Sequence, residues 1–184
     1  MSSPPNAPPA QLHGGCVCGA VRYTVTFPEG ASYPPHVPEP PRPRHRRRTT
    51  DAPSVQRISC QCEPCRKFTG ALHVHGFIVD DSQVAWAAVP EGAEGALKLF
   101  RSSSHGQRGF CTGCGGSLMF RSSKSIPGAT FLFAGGLDDG ALAKHPELVK
   151  ADVHVYAGNA IEGVSDRMLG GIKYTKMRDS EQIM

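Results

Sequence analysis

The sequence predicts a mainly β protein with short helical turns, built around clustered cysteines. Three observations carry that expectation. Stretches in which apolar and polar residues alternate recur at short spacing, glycine-rich turns separate them, and seven cysteines fall into three tight groups. At 184 residues with 39% hydrophobic side chains, the chain can bury one substantial core, so a single domain is expected.

Residues 1–11 are read as a disordered tail, because Ser, Pro, Asn and Ala offer little to bury. The domain is expected over 12–184. From Ala20 to Phe27, Val21, Tyr23 and Val25 alternate with Arg22, Thr24 and Thr26, the period of a strand with one buried face. Residues 28–53 hold eight prolines and five arginines between Arg42 and Arg48, a composition that excludes helix and central strand and predicts a surface insertion. Strands are then expected at Ser54–Ser59, Ala71–Val79, Gln83–Ala87, Ala96–Arg101, Ser117–Arg121, Ala129–Ala134 and Asp152–Val155. Short helices are expected at Glu63–Phe68, closed by Gly70, and at Asp139–Ala143.

The formal charge of +4 sits largely in the arginine stretch, and only 7% of residues are aromatic. Both facts weigh against a nucleic-acid-binding surface, which needs dispersed positive charge and stacking side chains. No run approaches the roughly 18 apolar residues of a membrane span, and the N-terminus has no apolar signal core, so a cytoplasmic protein is expected.

The cysteines read Cys16-Val17-Cys18, Cys60-Gln61-Cys62-Glu63-Pro64-Cys65 and Cys111-Thr112-Gly113-Cys114. An odd number in a reducing compartment disfavours disulfides, whereas short-spaced pairs suit zinc. Two pairs make one tetrahedral site, and the flanking glycines let the chain turn around an ion. The remaining cluster of three either forms a second site with an open coordination position, is closed by a nearby His or Asp, or is partly spare.

Four segments, Gly15–Tyr23, Cys60–Gly70, Gly109–Gly115 and Gly136–Asp139, together resemble the zinc proteins related to glutathione-dependent formaldehyde-activating enzyme, a family that includes centromere protein V. The resemblance implies an Mss4-like fold of folded antiparallel sheets and two Zn²⁺ per chain. It implies a structural zinc on Cys16, Cys18, Cys111 and Cys114 and a catalytic zinc on Cys60, Cys62 and Cys65. It further implies a carbon–sulfur lyase, an S-hydroxymethylglutathione synthase-like activity that joins glutathione to formaldehyde, or acts on a related thiol-conjugated metabolite. Gln61 stands where relatives often carry His, and the segment from Tyr156 lacks their Trp-containing ending.

Beside the third cluster, His73 and His75 flank Val74 on an expected strand, so both imidazoles share a face and are candidates for proton transfer at the zinc pocket. Arg66 and Lys67 follow Cys65, and Arg66 is the candidate partner for a substrate carboxylate. Asp138 and Asp139 read as capping or turn residues. A non-catalytic zinc module working through its arginine loop is the alternative function. Exposed sheet edges would allow a homodimer.

Overall fold

The computed structural model describes residues 7–33, 55–88, 95–177 and 180–183. Among these, twelve strands and two short α-helices form a mainly β fold of two sheets. The smaller sheet is antiparallel, in the order β1 (Gln11–Gly15), β2 (Val21–Thr26) and β5 (Val84–Ala88). In β2 the alternation works as expected, with Val21, Tyr23 and Val25 buried.

The larger sheet contains β3 (Gln56–Cys60), β4 (Val74–Asp80), β6 (Leu97–Arg101), β7 (Gly106–Cys111), β8 (Ser117–Ser122), β9 (Ile126–Phe133), β10 (Val153–Val155), β11 (Ile172–Tyr174) and β12 (Gln182–Ile183). Its order is β12-β11-β10-β3-β4-β9-β8-β7-β6. It is not antiparallel throughout: β10 lies parallel to both β3 and β11, because the chain crosses over before returning beside β3. The helices are α1 (Glu63–Thr69) and α2 (Asp139–Lys144).

Each face of the large sheet has its own apolar cluster. On one face, Phe77, Val79, Leu118, Met119 and Leu132 join Leu12, Tyr23 and Val25 of the small sheet. On the other, Val74, Phe131, Phe133, Val153 and Val155 surround Cys60 and Cys65. Burying a large apolar side chain in such a cluster contributes about 1.5–3 kcal/mol. A close approach ties the small sheet to the turn at Ala134–Gly136: Gly14 bridges to Leu137, and a Cβ at Gly14 would stand 2.4 Å from both the Gly136 carbonyl oxygen and the Tyr23 hydroxyl.

Two boundaries differ from the sequence reading. The ordered chain begins before Leu12, since Pro8 is buried and Ala10 accepts a hydrogen bond from Phe27 N–H. The proline-rich stretch starts inside the core: Ala31 and Tyr33 are buried, and Val55 N–H donates to the Ser32 carbonyl. Residues 1–6 of the expected tail, and 34–53 of the expected insertion including its arginines, lie outside the described residues.

Candidate metal centres

Cys16 and Cys18 form a knuckle between β1 and β2. Gly19 closes it at φ +79°, donating to the Cys16 carbonyl, and Val21 N–H donates to Cys16 Sγ at 3.3 Å. Cys111 and Cys114 form the matching knuckle after β7, with Gly115 at φ +73° donating to the Cys111 carbonyl. A side chain would be strained at either left-handed glycine. The two knuckles meet: the sulfurs of Cys16, Cys18, Cys111 and Cys114 all lie within 4.8 Å of one another. Cys18 Sγ stands 3.5 Å from Cys16 Sγ and 3.7 Å from Cys111 Sγ. Backbone N–H groups of Cys18 and Gly116 hold the Cys114 thiol down to about 6, so a ligand-competent thiolate forms there readily.

The second cluster is local. Cys60 ends β3, Cys62 caps α1 by accepting from Cys65 N–H at 3.4 Å, and Pro64 sits in the first turn where its missing N–H costs nothing. Gly70, in the left-handed conformation, donates to the Arg66 carbonyl and ends the helix. The sulfurs of Cys60, Cys62 and Cys65 again lie within 4.8 Å of one another. Among the described residues this group has three members and the first has four. Hydrogen bonds from Cys60, then Cys62, and further from Arg108 bring the Cys65 thiol down to about 3, while hydrogen bonds with Cys62 and then Cys65, together with burial, push Cys60 up. The donor chemistry of both groups, several soft sulfurs converging on a point, fits zinc.

The candidate residues around the second cluster separate. Lys67 points to solvent and pairs with Glu63 at 2.7 Å. Arg66 is half-buried, and its Nε has no hydrogen-bond partner among the described residues. His75 does not face the cysteines, and His73 lies just before β4, outside the paired register. Cys60 is paired with Val74 and Ser59 with His75, so alternation puts Val74 on the cysteine face and His75 on the opposite one. The ring of His73 lies 5.1 Å from that of His75. The face that His75 takes can be read only from the register with β3. On that opposite face, His75 and His154 stand on either side of the buried Ser59. Asp138 is at the N-cap position of α2 without capping it, and its carboxylate instead pairs with Arg22 at 2.5 Å.

Two further residues near the cluster take roles that the sequence does not show: Gln61, apparent there only as standing where relatives often carry His, and Arg108. Gln61 is 1% exposed; its Nε2 donates to the Ser165 carbonyl at 3.1 Å. Arg108 is 5% exposed and donates from Nη2 to Cys65 Sγ at 3.6 Å. Arg108 carries no spacing signal of its own, since it lies in β7, a strand whose glycines interrupt the alternation.

Fold and site together define a β protein built around two thiol clusters, one of four sulfurs and one of three. The family model described as glutathione-dependent formaldehyde-activating enzyme matches residues 46–159, and the chain belongs to that family. The match takes in the three-cysteine cluster and the pair Cys111 and Cys114, while Cys16 and Cys18 precede it. No curated protein matches the chain. A solved structure, the crystal structure of a Rhodobacter sphaeroides protein from structural genomics, is similar over 70% of this chain and 89% of that one, with 22% identity and a TM-score of 0.44.

Proposed function

We propose that the chain is a zinc-dependent carbon–sulfur lyase that forms or cleaves a thiol adduct, such as S-hydroxymethylglutathione from glutathione and formaldehyde, or acts on a related thiol-conjugated metabolite. The observation that carries this reading is the three-sulfur group of Cys60, Cys62 and Cys65, which would offer a tetrahedral ion three protein ligands of the four it takes. Zinc held there would supply a thiophilic Lewis acid that favours ionisation of a substrate thiol. The four-sulfur group of Cys16, Cys18, Cys111 and Cys114 would hold a structural zinc.

In the forward direction a carbon–sulfur bond forms between the substrate sulfur and the aldehyde carbon, the carbonyl π bond breaks, and the thiol proton ends on the new hydroxyl oxygen. The chain's part is to bind and orient. Arg66, which follows Cys65 in α1 and whose Nε has no hydrogen-bond partner among the described residues, is the proposed partner for a substrate carboxylate. Phe68 and Phe133, with ring centroids 6.3 Å apart, contribute to an apolar wall that limits water. This reading assigns no proton transfer to His73 or His75, because the register with β3 turns His75 away from the cysteine face.

Family membership supports the reaction class, and the absence of long apolar helices among the described residues is compatible with the expected cytoplasmic location. The arginine-loop alternative rests on residues outside the described ones. The experiment is to measure zinc per chain and, in the same preparation, formaldehyde consumption with and without glutathione. About two zincs with glutathione-dependent consumption is expected. One zinc without consumption would overturn the proposal.

A further inference from the structure

A guanidinium cannot be deprotonated in a protein, so a buried arginine requires a buried partner. Arg108 is 5% exposed, and among the described residues no carboxylate pairs with it. Its neighbours are of two kinds. Aromatic rings flank it, with the guanidinium carbon 4.8 Å from the Phe120 centroid and 5.9 Å from that of Phe68. Its polar contacts are the Ser102 hydroxyl, taken by Nη1, and Cys65 Sγ, 3.6 Å from Nη2. The sulfur cluster is thus the source of negative charge that these contacts offer.

The sheet register explains how the side chain gets there. Arg108 is paired with Phe120 and Phe120 with Phe131, a row across β7, β8 and β9 on the face that carries Cys60 and Val74. Cys111, three residues further along β7, belongs to the apolar cluster on the other face. One strand therefore serves both thiol clusters, giving a ligand sulfur to one and a cation to the other.

The charges match. Three thiolates around a divalent ion leave about one negative charge, and Arg108 brings one positive charge in a water-poor pocket where neither is well screened. We infer that Arg108 is a positioning residue of the three-cysteine centre: its guanidinium is the built-in counter-charge that holds Cys65 as a metal ligand and lets the open position accept an anionic sulfur. The inference rests on the proposed metal occupancy of Cys60, Cys62 and Cys65. It extends that reading by assigning selectivity for a thiolate over a neutral ligand to a residue that touches neither substrate nor metal.

The test compares wild type, R108M and R108K loaded with Co²⁺, reading ions per chain, affinity by chelator competition, and the sulfur-to-cobalt charge-transfer band before and after adding glutathione. The four-cysteine ion is an internal measure of folding. In R108M the first ion should stay, the second should bind roughly 10- to 100-fold more weakly, its band should shift, and the change on adding glutathione should weaken. R108K, which keeps the charge, should recover part of each effect. If wild type takes only one ion, the three-cysteine reading falls and Arg108 with it. If wild type takes two and R108M matches it in affinity and spectrum, only the assignment of Arg108 falls. Should R108M lose both ions through misfolding, the guanidinium NMR resonances of wild type decide: a shift of the Arg108 Nη signals on filling the second site supports the inference, and unchanged signals overturn it.

Discussion

Gln61 accepts a 2.8 Å hydrogen bond from the hydroxyl of Ser165, a residue 104 positions away in sequence. The same side chain donates to the Ser165 carbonyl and to Met168 Sδ, and the Gln61 backbone carbonyl accepts from Asn159 Nδ2. A residue set between two candidate ligands is thus the anchor of the segment that follows β10. Gln61→Ala would leave the buried Ser165 hydroxyl without this acceptor, at a cost of about 1–3 kcal/mol. Hydrogen exchange should rise across 159–168 in that variant, with the four-cysteine cluster unaffected. Equal exchange in variant and wild type would remove Gln61 from this role.

The two thiol clusters should respond differently to loss of one sulfur. Cys18→Ser breaks the link between knuckles on separate sheets and is expected to lower the melting temperature sharply, because a structural zinc contributes directly to folding. Cys62→Ser removes a sulfur from a local cluster and is expected to abolish turnover with a much smaller thermal effect. Calorimetry alongside the formaldehyde assay separates the two, and a folded, fully active C62S protein would contradict the proposed site.

Arg57 and Asp152 form a buried pair with side chains 5% and 11% exposed, joining β3 to the start of β10. Arg57 Nε and backbone N–H each reach Asp152 Oδ2 at 3.0 Å, and the guanidinium also lies 4.5 Å from the Tyr33 ring centroid. Asp152→Ala should destabilise the protein by about 3–5 kcal/mol, since it strands a buried cation. Replacing both partners with apolar residues should cost much less. Urea unfolding of the single and double variants measures the difference.

Burial lowers the pKa of both His75 and His154; the neighbouring His73 adds to the effect at His75, and His75 adds to it at His154. Hydrogen bonds to the carbonyls of Val149 and Gly170 oppose it. Between the lowered folded value and the unfolded value of about 6.5, the unfolded state binds more protons, so stability rises with pH. The full contribution is present above about pH 6.5 and is lost as pH falls through the folded values. Substituting His154→Gln, which can still donate to the Gly170 carbonyl, should flatten the fall in melting temperature at acid pH. An unchanged slope would show that these rings do not govern it.

What the sequence reveals is what is encoded locally. The helix α1 could be read to within a residue because Cys62, Pro64 and Gly70 carry its start and stop within one short segment. The membership of the cysteine clusters was legible as spacing, although the meeting of Cys16 and Cys18 with Cys111 and Cys114 came from resemblance. The strands at Gln11–Gly15 and Gly106–Cys111 were not legible, because glycines interrupt their alternation and only pairing with neighbours makes them strands. The parallel position of β10, the face taken by His75 and the burial of Tyr33 depend on contacts between distant segments. Arg108 belongs to the same class: its significance lies in Cys65, 43 residues away.

The unequal spans of the two clusters carry a consequence for synthesis on the ribosome. Cys60, Cys62 and Cys65 leave the exit tunnel almost together, so their three sulfurs need only a short loop to meet, although the apolar walls around them come from later strands. Cys16 and Cys18 emerge long before their partners, and 93 residues separate Cys18 from Cys111. Until Cys111 and Cys114 are made, the nascent chain displays an incomplete thiol pair, and the join between the two sheets waits for the last knuckle. Under the proposed occupancy of both clusters, the local one would load first, and chains arrested between these two points should take up one ion where finished chains should take up two.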